Sequence, residues 1–324
     1  DVYKRQRLSK AFKSDNKLLF VESKEGNLFS KLKKILKFSA EYKLIIFATV
    51  NSNILALIIK ICIPKTIIIP RLGNTISLEL RRYSLKYYMH KVFYFFLIHL
   101  SKNFIFQSLV MKHDFIQFFN FKSNQKFITL HNGIEPSNIG VLDQSNLLKS
   151  EKKIFLMVGT FKYQKGYEVF FHSLCYINKE IMNNIEFHIC GDGSEYKYWV
   201  HFMQDHEFKK NIIFHGMVDP TSFYQSADAY MLPSRFEGFS NSLIEALSFG
   251  LPCLVSDCPS ANREVISEDN NGIFFKNLDS KDLGKKIEEI YSCLDQFDNQ
   301  SIKDDTHDRF SIDKISEKYM KLIM

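Results

Sequence analysis

The sequence has no D-x-D pair, no C-x-x-C pair and no G-x-G-x-x-G run. Without the first two, and with ten histidines that show no ligand spacing, it offers no recognisable metal site. The nearest match to the glycine run is Gly191-Asp192-Gly193, which has Tyr196 where the last glycine would stand. We therefore predict that the protein needs neither a metal ion nor any other cofactor.

Long apolar runs are also missing. The two longest lie around residues 54–63 and 92–100, contain Lys60 and His99, and fall short of the roughly 18 residues that span a membrane. The six cysteines lack the regular spacing of a disulfide framework, and three lie within or beside apolar runs. This distribution is typical of the reducing cytoplasm, and we predict that location, with the inner face of the membrane left open.

Acidic residues are scarce in the first half of the chain. Residues 1–150 hold 24 Lys and Arg against 9 Asp and Glu, whereas residues 151–324 hold 19 against 27. A basic half attracts anions such as lipid head groups, phosphorylated acceptors or nucleic acid. Ordinary lysine-rich, solvated helices have the same composition. The charge count alone therefore does not distinguish an anion-binding half from a merely solvated one. Because no nucleic-acid-binding motif is present, we expect no nucleic acid and keep peripheral contact with an anionic membrane as a hypothesis.

The pattern from Thr75 to Leu100 predicts one long helix. Its basic residues are interleaved with Tyr and Phe, as in a helix that lies on a membrane surface. They are Arg81, Arg82, Lys86 and Lys91. A core helix with a basic outer face fits the same pattern and is the commoner case.

Apolar runs alternate with helical patterns along the chain, which predicts parallel sheets built from βαβ units. Strands are expected at 17–22, 44–50, 66–70, 103–107, 126–130, 153–158, 185–190, 211–215, 229–232 and 253–256. Helices are expected at 28–38, 52–62, 108–119, 281–294 and 311–324, besides those between the later strands. We predict an α/β protein with two Rossmann-like, doubly wound domains that face a cleft. The domains are residues 1–131 and 151–324, joined by a linker at 132–150.

Residues 231–258 combine a strand, a polar turn, a short helix and a second strand. Glu237 and Glu245 are separated by seven small, polar or apolar residues. Ser242 and Glu245 have the S-x-x-E spacing of a capping box, so we expect the helix to begin at Ser242. The first N–H groups of such a helix attract phosphate. A well-capped connector, in which Glu245 only closes the cap, fits the same spacing.

The segment resembles the E-x7-E signature of the retaining glycosyltransferases with the GT-B fold, glycosyltransferase family 4 (group 1), which includes bacterial lipopolysaccharide and capsule enzymes. Other stretches follow the order and spacing of that family: VGTFKYQKG at 158–166, ICGDGSE at 189–195, FHGMVDP at 214–220, SADAYMLPSRFEGF at 226–239, GLPCLVSDC at 250–258 and NGIFF at 271–275. The resemblance is strong over residues 126–290 and weak before them. It implies transfer of a sugar from a nucleoside diphosphate sugar to an acceptor hydroxyl, with retained anomeric configuration, in bacterial surface polysaccharide or lipopolysaccharide synthesis.

The resemblance also implies roles for individual residues. By position, Glu237 holds sugar hydroxyls, Glu245 holds the nucleotide ribose, and Lys165 of the K-G pair binds the diphosphate. Glu237 and Lys165 are the expected catalytic residues. Thr160 stands where the family often has arginine, so it can supply a hydrogen bond but no charge. Donor contacts are expected from Thr160, Gly166, Gly216, Met217, Val218, Gly238, Phe239, Ser240, Asn241, Ser242, Leu243 and Glu245, and an acceptor or phosphate contact from Arg71.

The sequence departs from the family pattern near its start. No glycine-rich stretch precedes Leu44, so we expect the first βα element of the N-terminal domain to be missing. The expected partners are a nucleotide sugar and a glycan or lipid-linked acceptor. An alternative of another class is a non-catalytic basic protein that binds membrane or nucleic acid on the same scaffold, and steep salt dependence would identify nucleic-acid binding.

Overall fold

The computed structural model describes residues 44–47, 50–73, 75–80, 83–122, 126–135, 150–268 and 270–323. The strand predicted at 17–22, the helix predicted at 28–38 and most of the predicted linker lie outside the described residues. The predicted absence of a first βα element concerns that same early part of the chain. Contacts within the chain divide it into two compact units, Asp1–Gly133 with Ile312–Met324, and Ile134–Ser311.

The C-terminal segment belongs to the first unit, although the sequence analysis placed it in the second domain. A Cβ on Gly133 would stand 2.9 Å from Ile312 Cδ1, so only glycine leaves room for this close approach. Further along the segment, the ring of Tyr319 packs against an apolar cluster of the first unit. Amphipathic spacing in the last residues predicts a helix, but it carries no information about which sheet the helix packs against.

The first unit contains four parallel strands in the order β1-β2-β3-β4 among the described residues. The strands are β1 (Leu44–Phe47), β2 (Ile67–Leu72), β3 (Phe104–Phe106) and β4 (Phe127–Thr129). The helices are α1 (Val50–Cys62), α2 (Ile76–Glu79), α3 (Leu85–Leu100) and α4 (Leu109–Phe119). Buried rings from α3, α4 and the strands form most of the core of this unit.

The prediction of one helix over 75–100 is wrong, because the structure has α2 and α3 as separate helices. Leu80 has extended geometry, with φ −120° and ψ 127°. Tyr83 has a φ of 61°, a left-handed conformation that interrupts helical geometry. Ser84 then caps α3, since its hydroxyl oxygen accepts a hydrogen bond from the Tyr87 N–H at 3.1 Å.

The second unit contains six parallel strands in the order β10-β9-β8-β5-β6-β7 among its described residues. The strands are β5 (Lys153–Val158), β6 (Ile185–Cys190), β7 (Ile212–Gly216), β8 (Ala229–Leu232), β9 (Cys253–Ser256) and β10 (Gly272–Phe275). The predicted bounds of β5, β6, β8 and β9 are confirmed, because each strand is a short apolar run between polar turns. The parallel α/β fold class is therefore confirmed in both units.

Helices connect the strands of the second unit. They are α5 (Tyr167–Ser173), α6 (Lys179–Asn183), α7 (Tyr196–Gln204), α8 (Thr221–Ser226), α9 (Asn241–Ser248), α10 (Asn262–Val265), α11 (Ser280–Cys293) and α12 (Asn299–Phe310), and α13 (Ile312–Ile323) follows in the first unit. Helix α12 was not predicted from the sequence. That helix is mostly polar and buries only the stripe Ile302, Thr306 and Phe310, so its apolar periodicity is faint.

The strand order changes direction beside β5. The chain runs from β5 outward to β6 and β7, and then returns to place β8 on the other side of β5. The loops that follow β5 and β8 therefore leave neighbouring strands and diverge, which opens a crevice at the carboxyl ends. Such switch points are where open α/β sheets bind ligands.

Candidate functional site

A cleft of about 320 Å³ lies at this switch point. It is lined by Val158, Gly159, Thr160, Lys165, Glu237, Phe239, Ser240, Asn241, Ser242 and Glu245. The structure thus brings both predicted catalytic residues into one crevice with six of the predicted donor contacts. Val158 and Gly159 complete the wall and were not predicted.

The loop after β5 positions Lys165 through two glycines. A Cβ on Gly159 would lie 3.3 Å from Lys165 Cε, so glycine leaves space for the lysine stem. Gly166 has a φ of +65°, and a Cβ there would lie 2.0 Å from the Pro233 carbonyl oxygen. Gly166 therefore lets the two loops meet backbone to backbone, which brings Lys165 toward the loop of Glu237.

Glu237 is held by hydrogen bonds to both carboxylate oxygens. Its Oε1 accepts from Lys165 Nζ at 2.6 Å and from Ser234 Oγ at 2.8 Å, while Oε2 accepts from Gln164 Nε2 at 3.3 Å. The backbone N–H of Glu237 donates to the Pro259 carbonyl oxygen at 3.2 Å. The carboxylate is therefore oriented before any ligand binds.

The Lys165–Glu237 ion pair is largely shielded from water. The exposed fraction of the side chain is 16% for Lys165 and 8% for Glu237. Low local dielectric strengthens both their attraction and the penalty for removing one partner. The ammonium group has three donor hydrogens, so it can keep Glu237 and still donate into the cleft.

The predicted capping box at Ser242 is wrong. Helix α9 begins at Asn241, its N-cap is Ser240, and no side chain caps it. The Ser242 hydroxyl oxygen instead accepts a hydrogen bond from Tyr230 Oη at 2.8 Å. The S-x-x-E spacing predicts a cap from neighbouring residues alone. The hydrogen-bond partner of Ser242 is Tyr230 of β8, which local spacing does not indicate. The N-terminal turn of α9 still faces the cleft, as its lining residues show.

Glu245 is held by a buried tyrosine. The single O–H of Tyr224 is shared between Glu245 Oε2 and the Ser242 carbonyl oxygen, each 3.3 Å from Oη. Burial, with the nearby Tyr230 and Glu245, raises the pKa of Tyr224 well above its usual value, so the hydroxyl stays a donor. Glu245 therefore accepts a hydrogen bond from Tyr224 instead of closing a capping box.

Several predicted contacts are not among the residues that line this cleft. Gly216 is the last residue of β7, and Met217 and Val218 follow it; β7 is separated from β5 by β6, and Met217 is 77% exposed. Leu243 is fully buried in the core, and the Gly238 carbonyl oxygen accepts from the Ala261 N–H at 3.1 Å. Gly166 serves the loop contact described above. Arg71 lies in the first unit, where its guanidinium donates to Asn132 Oδ1.

A histidine pair lies just before the Gly216 segment. His215 Nε2 and His188 Nδ1 are 3.1 Å apart, and His188 Nε2 lies 3.5 Å from Glu186 Oε2. Burial and the neighbouring His188 lower the pKa of His215 to about 4. Burial also lowers the pKa of His188, although Glu186 opposes the shift. Both rings are therefore neutral at pH 7.

Sequence reasoning missed the residues that orient the two glutamates. Gln164 and Ser234 lie one and three positions from Lys165 and Glu237, so proximity in the motifs could have indicated them. Tyr224 lies 21 positions from Glu245 and carried no local signal. Among the described residues, no group of three or more His, Cys, Asp or Glu side chains is arranged to hold a metal ion. Within the same residues, every helix is too short or too polar to cross a membrane.

The chain is similar to known glycosyltransferases. The family model described as glycosyl transferases group 1 matches residues 139–303, slightly more than half of the chain. The lipopolysaccharide 1,6-galactosyltransferase of Salmonella typhimurium is 32% identical over 131 residues, which cover 38% of this chain and 35% of that protein. The Escherichia coli UDP-Gal:alpha-D-GlcNAc-diphosphoundecaprenol alpha-1,3-galactosyltransferase is 32% identical over 126 residues, 37% of this chain and 32% of that protein. The chain therefore matches about a third of the length of these relatives.

Solved structures show the same fold over most of the chain. The crystal structure of Anabaena Alr3699/HepE in complex with UDP and glucose has a TM-score of 0.76. The alignment covers 91% of this chain and 81% of that one at 16% identity. At this level of identity the similarity establishes the fold, which is that of GT-B glycosyltransferases, and the chemistry rests on the residues of the cleft.

Proposed function

The chain belongs to the glycosyl transferases of group 1, and from that premise we propose that it moves a sugar from a nucleoside diphosphate sugar to an acceptor hydroxyl. The proposed reaction retains the anomeric configuration, as in glycosyltransferase family 4. The observation that carries the proposal is the cleft in which Lys165, Glu237, Glu245 and the first turn of α9 meet.

The departing diphosphate develops negative charge, and this cleft meets it with preorganised positive groups. The Lys165 ammonium points into the cleft beside Glu237, and the N-terminal turn of α9 adds N–H groups and the positive end of the helix dipole. Thr160 lines the same cleft and supplies a hydroxyl without charge. Lys165 therefore takes a larger share of charge stabilisation than in an enzyme with a second cation at the position of Thr160.

The two glutamates would divide the hydroxyl groups of the donor between them. Glu237, locked by Lys165, Ser234 and Gln164, would accept hydrogen bonds from the transferred sugar. Glu245, held by Tyr224, would accept from the ribose diol. Gly216, Met217 and Val218 are proposed to contact the base from the neighbouring loop. Arg71 is proposed to contact the acceptor or its phosphate.

We propose a UDP-hexose as donor and a glycan or lipid-linked acceptor in bacterial surface polysaccharide or lipopolysaccharide synthesis. This proposal is supported by the relatives, whose names specify lipopolysaccharide and a diphosphoundecaprenol-linked sugar as acceptors. We also propose that no metal ion is needed, since an ammonium group and a helix N-terminus supply the positive charge. Transfer unaffected by EDTA would support that part of the proposal, and loss restored by a divalent ion would contradict it.

A panel of UDP- and GDP-sugars with a thermal-shift readout tests donor binding, because a bound donor stabilises the native state. We expect one or more UDP-hexoses to raise the Tm of the wild-type protein and the shift to disappear in Glu237→Gln. Glu180→Gln, which changes an exposed carboxylate on α6, is the matched control and should keep the shift. NMR of the product would then show whether the anomeric configuration is retained.

A folded wild-type protein that binds none of these donors would contradict the proposal and favour the non-catalytic alternative. Product of inverted configuration would contradict only the retaining mechanism. Equal donor shifts in the wild type and in Glu237→Gln would show that the cleft at β5 and β8 is not the donor site.

A further inference from the structure

Helix α3 has two apolar faces, and the described residues of the chain cover only one of them. Tyr87, Tyr94, Leu97 and Ile98 are buried against the first unit. On the opposite side the helix carries a set of large apolar residues that remain 39% to 79% exposed. We call this set the exposed face of α3; it consists of Leu85, Tyr88, Met89, Val92, Phe95, Phe96 and Leu100.

The spacing of these residues makes a stripe that is apolar except for the exposed His99 near its C-terminal end. At about 100° per residue they fall within an arc of about 140°, and the 16-residue helix extends them over about 24 Å. Scattered exposed apolar residues are normal on a protein surface, but a contiguous stripe of this length marks an interaction surface. The sequence fits both a core helix and a membrane-surface helix; in the structure one side of α3 lies in the core and the other side is exposed.

The charge beside the stripe has a single sign. Residues 80–113 contain no Asp or Glu but hold six Lys and Arg. Lys86 is exposed at one edge of the stripe, and Lys91 lies at the other edge with its Nζ 6.0 Å from the Tyr87 ring centroid. Lysines at both edges of an apolar face can extend their ammonium groups to lipid phosphates while their stems remain on apolar surface.

We propose that the exposed face of α3 binds the surface of a bilayer that contains anionic phospholipids. The aromatic and aliphatic side chains would enter the boundary between head groups and acyl chains, with the helix axis parallel to the membrane plane. The absence of acidic residues argues for this occupant over a second copy of the chain, since two such stripes would bring lysines of like sign together. The proposal goes beyond the glycosyl transfer proposed above and does not depend on it.

Cosedimentation with vesicles tests the proposal without any nucleotide sugar. We expect the wild-type protein to bind vesicles of phosphatidylglycerol and phosphatidylcholine in equal parts, and to bind pure phosphatidylcholine vesicles more weakly because the lysines lose their partners. The variant Met89→Gln, Val92→Gln, Phe96→Gln removes apolar groups from the middle of the stripe and should weaken binding by about tenfold or more.

The control variant exchanges the same number of exposed apolar residues elsewhere. Ile61→Gln, Tyr176→Gln, Tyr198→Gln changes side chains that are 67%, 47% and 62% exposed, and it should bind vesicles like the wild type. Phe96→Trp preserves an apolar ring and tests the geometry without risk to folding. Because the chain has one other tryptophan, the buried Trp199, a blue shift and quenching by brominated lipid would report the new residue.

A wild-type protein that stays in the supernatant with anionic vesicles would overturn the proposal. So would equal binding of the stripe variant and the control variant, or a Phe96→Trp emission that anionic vesicles leave unchanged. Sedimentation velocity without lipid tests whether a second copy of the chain occupies this face. A dimer that the stripe variant abolishes would assign the face to that second copy and overturn the membrane assignment.

Discussion

Lys165 Nζ lies 2.6 Å from Glu237 Oε1, although 72 positions separate the two residues in the chain. Each follows a different strand, and the change of strand order between β5 and β8 is what makes those loops neighbours. The same contact orients the carboxylate and holds a cation at the cleft.

Lys165→Met should lower kcat/KM for sugar transfer by about 10²- to 10³-fold, the usual effect of removing one preorganised charge-stabilising group. Lys165→Arg keeps the charge but changes the donor geometry, so it should recover only part of the activity. Steady-state kinetics at saturating acceptor would measure both. A Lys165→Met enzyme with wild-type kcat/KM would remove Lys165 from the proposed mechanism.

The stability of the pair should be non-additive. Lys165→Met leaves Glu237 as an uncompensated buried charge and is expected to cost about 3 kcal/mol or more in the free energy of unfolding. Adding Glu237→Gln removes that charge. The double variant should therefore lose less free energy of unfolding than the two single variants lose together, by about 1 kcal/mol or more. Urea unfolding of the four proteins would give the coupling energy. Strict additivity would mean that the ion pair contributes no coupling in solution.

Two glycines with the same left-handed φ should respond differently to alanine. Gly166 has a φ of +65° and Gly216 a φ of +67°. A Cβ on Gly166 would meet the Pro233 carbonyl oxygen at 2.0 Å, whereas a Cβ on Gly216 would have Tyr196 Oη, at 3.8 Å, as its nearest neighbour among the described residues. Gly216→Ala should cost about 1–2 kcal/mol from conformation alone, and Gly166→Ala more than about 3 kcal/mol because the loops must separate. Equal losses would contradict this close approach.

The neutral histidine pair should make the protein less stable as the pH falls. The pKa of His215 is lowered from 6.5 to about 4, so between these values the unfolded state binds more protons than the native state. Its contribution is fully present above pH 6.5 and is lost as the pH falls toward 4. His215→Gln should therefore flatten the dependence of Tm on pH in this window. His201→Gln, on the exposed side of α7, should keep the wild-type slope, and a retained slope in His215→Gln would assign the effect to other groups.

Alkylation should distinguish the cysteines by burial. Cys62 and Cys175 are exposed, whereas Cys190, Cys253 and Cys258 are buried. Burial raises the pKa of Cys190 to about 12 and that of Cys258 to about 11, so little thiolate is present at neutral pH. Mass spectrometry after brief iodoacetamide treatment should show label on the exposed pair, and label on the buried three only after unfolding. Early label on Cys190 would contradict the packing between β5, β6 and β7.

Local sequence was sufficient for most elements of the second unit. Strands such as β5 and β6 are uninterrupted apolar runs between polar turns, and period and composition act over a few residues. The long helix over 75–100 failed because its break depends on two residues, Leu80 and Tyr83, inside a pattern that stays helical in composition. Helix α12 was not predicted because it is mostly polar. Its buried stripe consists of only three residues, which is too few to give a clear helical period.

The sequence by itself determined the alternation of strands and helices, the E-x7-E spacing and the K-G pair, because each depends on neighbours along the chain. Only the tertiary structure decided that Lys165 and Ser234 donate hydrogen bonds to Glu237 and that Tyr230, instead of a capping box, engages the Ser242 hydroxyl. It also decided that one side of α3 is left exposed by the described residues. These outcomes depend on which strands become neighbours in the sheet. That order is set by the packing of the whole unit, and no short stretch of sequence contains it.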